Sequence, residues 1–274
     1  MKEASNYNMT AAFALLLIGV PKAGKTVFAT CFPDPWVLDC DNNLAGAVRY
    51  HRDAGSPLTT FWYDDPQLIE LDEGGTKPRE AKDRWSFCMK AIGEAIKSPE
   101  PRTIIVDGLS LLATYLESHI LANSQQGNGM KDLIIAGEKV MNQSHWNPFK
   151  SMMMRFVMAC RSAGKPFIMT CHETTETNED GGVIAYRPLI SGQLRGNLAG
   201  LFTDCWRTET SVVQADKLHP LGVKYSVRFQ PRNMMQIGNS LAIKAAELDI
   251  TNKSRVEVWK TLSGFLGVPA DLVK

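Results

Sequence analysis

Charge of either sign is not in surplus: 30 Lys and Arg face 29 Asp and Glu, a net +1 over 274 residues. A chain so balanced does not coat nucleic acid or anionic lipid by bulk charge, so any such contact must come from a local patch. No CxxC pair links the six cysteines (Cys31, Cys40, Cys88, Cys160, Cys171 and Cys205), and most stand in apolar runs. This pattern argues against a disulfide framework or thiolate zinc site and points to reduced, buried thiols in a cytoplasmic protein. The five histidines form neither HxxxH nor HExxH, so the ligand spacing of a structural metal is missing. Long hydrophobic runs are missing too. The longest, Met9 to Val20, is interrupted by Thr10 and falls short of the roughly 20 residues that cross a bilayer. Only Lys2 is basic before it, Glu3 offsets that charge, and no small-x-small cleavage pattern follows. The run therefore reads as a buried strand, not a signal sequence or membrane anchor.

What is present is ordinary globular material, 44% hydrophobic and 22% charged, enough for one large domain or a core with a small appendage. Apolar runs at 12–19, 36–40, 103–107 and 166–171 predict strands. Helices are expected to open at 24–31 and to span 79–97, 109–121 and 147–163. The 79–97 helix carries an apolar stripe of Trp85, Cys88, Met89, Ile92, Ala95 and Ile96, and Pro99 and Pro101 end it. The strand runs are apolar throughout, as in strands buried on both faces, so the fold class is α/β: a mostly parallel sheet flanked by helices. Runs 203–210 and 223–230 predict an antiparallel C-terminal extension, with a short helix over 190–202 before them. The acidic segment 61–76 reads as turns, 122–145 as a polar excursion and 174–188 as an exposed loop. Met152, Met153, Met154 and Met158 read as core filler. The chain divides into a core over 1–235 and a helical tail over 236–274.

Between the first strand and the first helix, Gly19-Val20-Pro21-Lys22-Ala23-Gly24-Lys25-Thr26 fits GxxxxGK[ST] at every required position. Such a loop curls so that successive backbone N–H groups face phosphate oxygens, and the helix N-terminus adds its positive dipole end. Lys25 is then expected to reach the β- and γ-phosphates and the Thr26 hydroxyl to bind Mg²⁺, with Val27 completing the phosphate site on the first helical turn. The metal needs a carboxylate across from the threonine, at the end of a neighbouring strand. Asp107 in TIIVDGLSLL has that type and setting, with a helix N-cap as its other reading. Asp39 and Asp41 in WVLDCD end the second strand, and Asp41, further out, is placed to orient an attacking water. For both, a solvated turn carboxylate is the alternative.

At this point the residues resemble a family. VLDCDNNL is similar to the second-strand segment of RecA-type recombinases, TIIVDGLSLL to their Walker B strand, and PFIMTCHE to the strand that ends in a γ-phosphate sensor, the place of His172. LISGQLRGNLAGLFTDCWRTE resembles the segment that follows their second DNA-binding loop. Within that group the chain most resembles the short phage nucleotide-binding proteins of the single-strand annealing (Sak) group, over roughly residues 12–230. The resemblance implies a RecA-like P-loop NTPase core and Mg²⁺-dependent ATP hydrolysis with Lys25, Asp41, Asp107 and His172 as catalytic residues. It also implies phage DNA recombination in the bacterial host cytoplasm, through single-stranded DNA binding by a homo-oligomeric ring or filament, with a single-strand-binding protein as a further partner. Only a short segment precedes the first strand, so assembly contacts are expected elsewhere. A non-catalytic nucleotide switch or assembly protein of phage DNA metabolism is the alternative.

The 174–188 segment sets Glu176, Glu179 and Asp180 against Arg187, a poor match for phosphate. Span 119–165 instead sets six basic residues against two acidic ones, with aromatics among them. Lys131, Lys139 and Trp146 are its candidates for DNA contact, charge for phosphates and a ring for a base. The alternative for Trp146 is to staple the following helix to the core. Arg228 and Arg232, near the end of the last strand, are candidates for completing a neighbouring subunit's site.

Overall fold

A computed structural model of the chain describes residues 13–56, 58, 61–123, 133–136, 138–190, 194–213, 222–230 and 237–273. Lys131 and Arg232 lie outside the described residues. The elements run β1 (Ala14–Gly19), α1 (Lys25–Ala29), β2 (Pro35–Asp39), α2 (Leu44–Asp53), β3 (Trp62–Asp64), β4 (Leu68–Glu70), β5 (Thr76–Pro78) and α3 (Ala81–Lys97). They continue β6 (Thr103–Asp107), α4 (Leu109–Asn123), β7 (Leu133–Ile135), β8 (Glu138–Val140), α5 (Gln143–Arg161), β9 (Phe167–Thr177), β10 (Val183–Pro188) and α6 (Leu194–Asn197). The last are β11 (Asp204–Val213), β12 (Gly222–Arg228), β13 (Gly238–Asn239), β14 (Glu247–Asp249) and α7 (Arg255–Leu266).

One large sheet has the order β14-β12-β11-β1-β9-β6-β2-β3. It is parallel from β11 to β3, while β12 and β14 extend it antiparallel and β13 also pairs with β11. The apolar runs have a direct cause. In β1, Leu16 and Ile18 enter one core with α3, α4 and α5, and Leu15 and Leu17 enter a second core with α1, α2 and α7. All four are fully buried, so both faces of the strand must be apolar.

From β1 the chain crosses to β2 on one side and later returns to β11 on the other, a switch point of the kind where α/β sheets bind ligands beyond their strand ends. Register brings the polar ends together there: Gly19 pairs with His172 and Asp39 with Asp107.

Several segments differ from the sequence expectation, the 122–145 excursion among them, which contains the paired β7 and β8. Segment 61–76 contributes β3 to the sheet edge and most of a small β4–β5 hairpin. Segment 174–188 is a hairpin, not a loop: β9 runs on to Thr177 and pairs with β10 around a turn in which the Asn178 side chain accepts from Gly182 N at 2.6 Å. Arg187 pairs with Glu176 at 2.8 Å across the hairpin, Glu179 and Asp180 stay exposed at its turn, and β-branched residues keep the strand pattern. Met153 is buried as expected, but Met154 and Met158 lie on the outer face of α5, 36% and 52% exposed. The C-terminal stretch, read as helical, adds β13 and β14 to the sheet before α7. A reciprocal capping box starts α7, with Ser254 Oγ accepting from Glu257 N and Glu257 Oε2 accepting from Ser254 N. The buried Arg255 then donates from Nε to Thr30 O at 2.9 Å, tying α7 to the end of the phosphate-loop helix. Among the described residues no helix is long and apolar enough to cross a membrane.

Candidate functional site

The β1–α1 loop is held in a conformation few residues adopt. Gly24, the N-cap of α1, sits at φ 85° and Lys22 at φ 63°. Glycine takes the first without cost, whereas the second stores strain of about 1–3 kcal/mol of the sort found at ligand sites. Lys25 on the first turn of α1 folds back over the loop. Its Nζ donates to Val20 O at 2.8 Å and Gly19 O at 3.0 Å, and lies 3.3 Å from His172 Nδ1. Burial pushes the Lys25 pKa down, while Asp107 and Asp41 pull it back up.

Across the loop, Thr26 Oγ1 donates to Asp107 Oδ2 at 2.7 Å. Asp107 ends β6, and its other oxygen accepts from Thr170 Oγ1 at 2.5 Å. That carboxylate is 2% exposed, and desolvation raises its pKa against the lowering effect of the Thr170 and Thr26 hydroxyls. Its backbone neighbour Gly108 adopts φ 104°. The Asp41 carboxylate packs onto its Cα where any side chain would collide.

Asp41 stands just past β2. Its Oδ2 lies 3.5 Å from His172 Nε2, while its Oδ1 is shut off from solvent without a hydrogen-bond partner among the described residues. The tautomer follows from the neighbours: an ammonium only donates, so His172 Nδ1 accepts from Lys25 and Nε2–H faces Asp41. Asp39 does something else. Its two oxygens accept from Asn43 N at 3.1 Å and Leu44 N at 3.2 Å, capping α2, and burial pushes its pKa up to about 6.

These groups line one cavity of about 590 Å³, within the roughly 300–1,000 Å³ of small-molecule sites. Pro21, Lys22, Gly24, Lys25, Thr26 and Val27 line it from the loop, together with Asp41, Asp107 and His172. Gly19 supplies a carbonyl to Lys25, and Ala23 is fully buried beneath the loop. The sequence reading missed Tyr50, Tyr225 and Ile250, which also line the cavity, and Thr170 behind Asp107. Helix α2, which carries Tyr50, was missed with them; its buried residues Leu44, Ala47 and His51 at i, i+3 and i+7 were the available signal.

The other described candidates, Trp146, Lys139 and Arg228, are not among the residues that line this cavity. Trp146 is half-buried against the core and meets the Phe149 ring edge-on at 5.5 Å. Lys139 is exposed on β8. Within the same basic span, Lys165 donates to Ala95 O at 2.9 Å and Arg161 to Leu201 O at 2.7 Å. Arg228 is paired in its own chain, 3.0 Å from both Glu209 and Glu247, and Glu209 also meets Arg207, which bonds Glu173 beside His172.

Residues 11–241 match the AAA domain family, so the chain belongs to that family, which implies a nucleotide-binding P-loop ATPase. Comparison with curated proteins returns no match.

Proposed function

We propose that the protein is a Mg²⁺-dependent ATPase with a RecA-type core that acts in phage DNA recombination and single-strand annealing. In this reading it binds single-stranded DNA as a homo-oligomeric ring or filament. The observation that carries the catalytic part is the pairing of Thr26 and Asp107 at 2.7 Å across the phosphate loop from Asp41. A hydroxyl and a carboxylate in contact, in a cavity open to phosphate and water, suit a hard cation that keeps most of its ligands as water and phosphate oxygens. Thr26 and Asp107 would hold Mg²⁺, which when bound offsets charge on the transferred phosphoryl group.

The chain's own residues supply the rest. Lys25 turns from the Gly19 and Val20 carbonyls to the β- and γ-phosphates. Asp41 Oδ2, the oxygen that faces His172 Nε2 at 3.5 Å, is the acceptor for a proton of the attacking water, while Oδ1 stays packed against Gly108. Asp41→Asn is therefore expected to keep the nucleotide Kd within about threefold and to slow turnover by about 100-fold, the scale of one general base. Normal turnover in that variant would make Asp41 a turn carboxylate. Single-stranded DNA is expected to stimulate turnover of the unaltered protein. Nucleotide binding without turnover, with or without DNA, favours the switch-protein reading instead.

A further inference from the structure

Strand β9 runs through the core between β1 and β6. From Phe167 to Cys171 its side chains are fully buried and, Thr170 apart, apolar. Thr170, 1% exposed, puts a hydroxyl where valine would fill nearly the same space. A buried hydroxyl costs free energy unless it is hydrogen-bonded, and here it both accepts and donates at one point of the neighbouring strand. Its oxygen accepts from Gly108 N at 3.0 Å, and its proton goes to Asp107 Oδ1 at 2.5 Å.

The two bonds hold both ends of the Asp107–Gly108 unit. The bond to Oδ1 takes up one carboxylate oxygen, so Oδ2 is the oxygen left for Thr26, which donates to it at 2.7 Å. The bond from Gly108 N steadies a glycine at φ 104°, on whose Cα the Asp41 carboxylate packs. Thr170 itself is not among the residues that line the cavity, so its reach into the site runs through Asp107 and Gly108. Without the hydroxyl, Oδ1 loses this partner and the carboxylate is free to turn. A group that orients a metal-binding side chain from behind is worth about 10–100-fold in metal affinity.

We propose that Thr170 is a positioning residue of the metal site: it fixes Asp107 with Oδ2 toward Thr26 and touches neither nucleotide nor metal. The proposal rests on the reading of Thr26 and Asp107 as the Mg²⁺ site and adds what orients them. Calorimetric titration of the full chain with the slowly hydrolysed β,γ-imido analogue of ATP, once with Mg²⁺ and once with EDTA, tests both. In the unaltered protein Mg²⁺ is expected to tighten binding by about tenfold or more, since the metal offsets phosphate charge. Thr170→Val keeps the branched side chain and removes the hydroxyl. It is expected to lose about tenfold in affinity with Mg²⁺ and less than about threefold with EDTA. Thr170→Ser restores the hydroxyl and is expected to match the unaltered protein under both conditions. Should the valine variant fail to fold, Thr170→Cys, with a weak S–H donor in the hydroxyl's place, is read by the same comparison. A valine or cysteine variant that keeps the full benefit of Mg²⁺ overturns the proposal. So does one that loses affinity equally with Mg²⁺ and with EDTA, which would leave Thr170 a core residue only, and so does a serine variant that binds no better than the valine one. No benefit from Mg²⁺ in the unaltered protein would remove the metal reading of Thr26 and Asp107 itself, and the proposal with it.

Discussion

Replacing Asp107 by Asn separates the two demands that meet at this position. The carboxylate is buried and desolvation raises its pKa. A carboxyl group whose folded pKa lies above its unfolded value binds more protons in the fold. It therefore supports the fold at low pH, and that support is lost as pH rises from the unfolded value through the folded one. At pH 7 the buried Asp107 carboxyl is thus a liability of the free protein. Asn has the same shape without the charge. Its oxygen accepts from one threonine hydroxyl and its NH₂ donates to the other, so neither Thr26 nor Thr170 loses a partner. Removing a buried charge while keeping its hydrogen bonds is expected to stabilise the fold by about 1–2 kcal/mol, roughly 2–8 °C in Tm for a domain of this size. The gain shrinks as pH falls to 4 and below, where the carboxyl takes up its proton first in the fold and then in the unfolded chain. Turnover moves the other way and falls by about 100-fold or more, because an amide is a poor ligand for the metal. Thermal melts between pH 4 and 8, run beside phosphate release with Mg²⁺, check both halves. A lower Tm at pH 8, or a gain that does not shrink toward pH 4, refutes the account of a desolvated carboxylate. Undiminished turnover refutes its place at the metal.

Lys25→Ala removes the ammonium that faces the phosphates, and turnover is expected to drop by about 1,000-fold while Tm stays within about 3 °C, as phosphate release and a melt would show. Arg255→Met keeps the volume at the α1–α7 contact but strips Thr30 O and Phe32 O of a buried donor; a urea midpoint is expected to report a loss of about 2–4 kcal/mol. For single-stranded DNA, Lys131→Ala combined with Lys139→Ala is expected to lower the slope of log affinity against log salt by about 1.4. An unchanged slope would remove the 119–165 span as the DNA site. Trp146→Ala leaves a gap beside Phe149 and is expected to lower Tm. If the folded variant then binds DNA normally, Trp146 is a staple and not a base platform.

How much of this was legible in the sequence depended on how local each signal is. The phosphate loop is written in eight consecutive residues because its conformation is set by the chain itself: a left-handed Gly24, a strained Lys22 and a helix that begins at Lys25. Asp107 was legible for a related reason, since four apolar strand residues and a following glycine place a carboxylate at a strand end whatever the neighbours are. Its partner Thr26 was read with it from the motif, whereas Thr170 needed more, because its meeting with Asp107 depends on β9 lying beside β6, which no single segment carries. The Tyr225 side of the cavity was not legible at all. Tyr225 and Ile250 meet Gly24 only because the three-residue β14 docks on β12 with Ser226 opposite Asp249. A strand so short has no periodicity to read, and the buried Arg255 that anchors α7 looks in sequence like any surface cation. The 174–188 hairpin failed in the opposite way. Its acidic residues suggested a solvated loop, yet Glu176 is spent on Arg187 within the hairpin and the backbone alternates as a strand. Charge composition reports what a segment carries, and only pairing decides whether that charge faces water or its own neighbour.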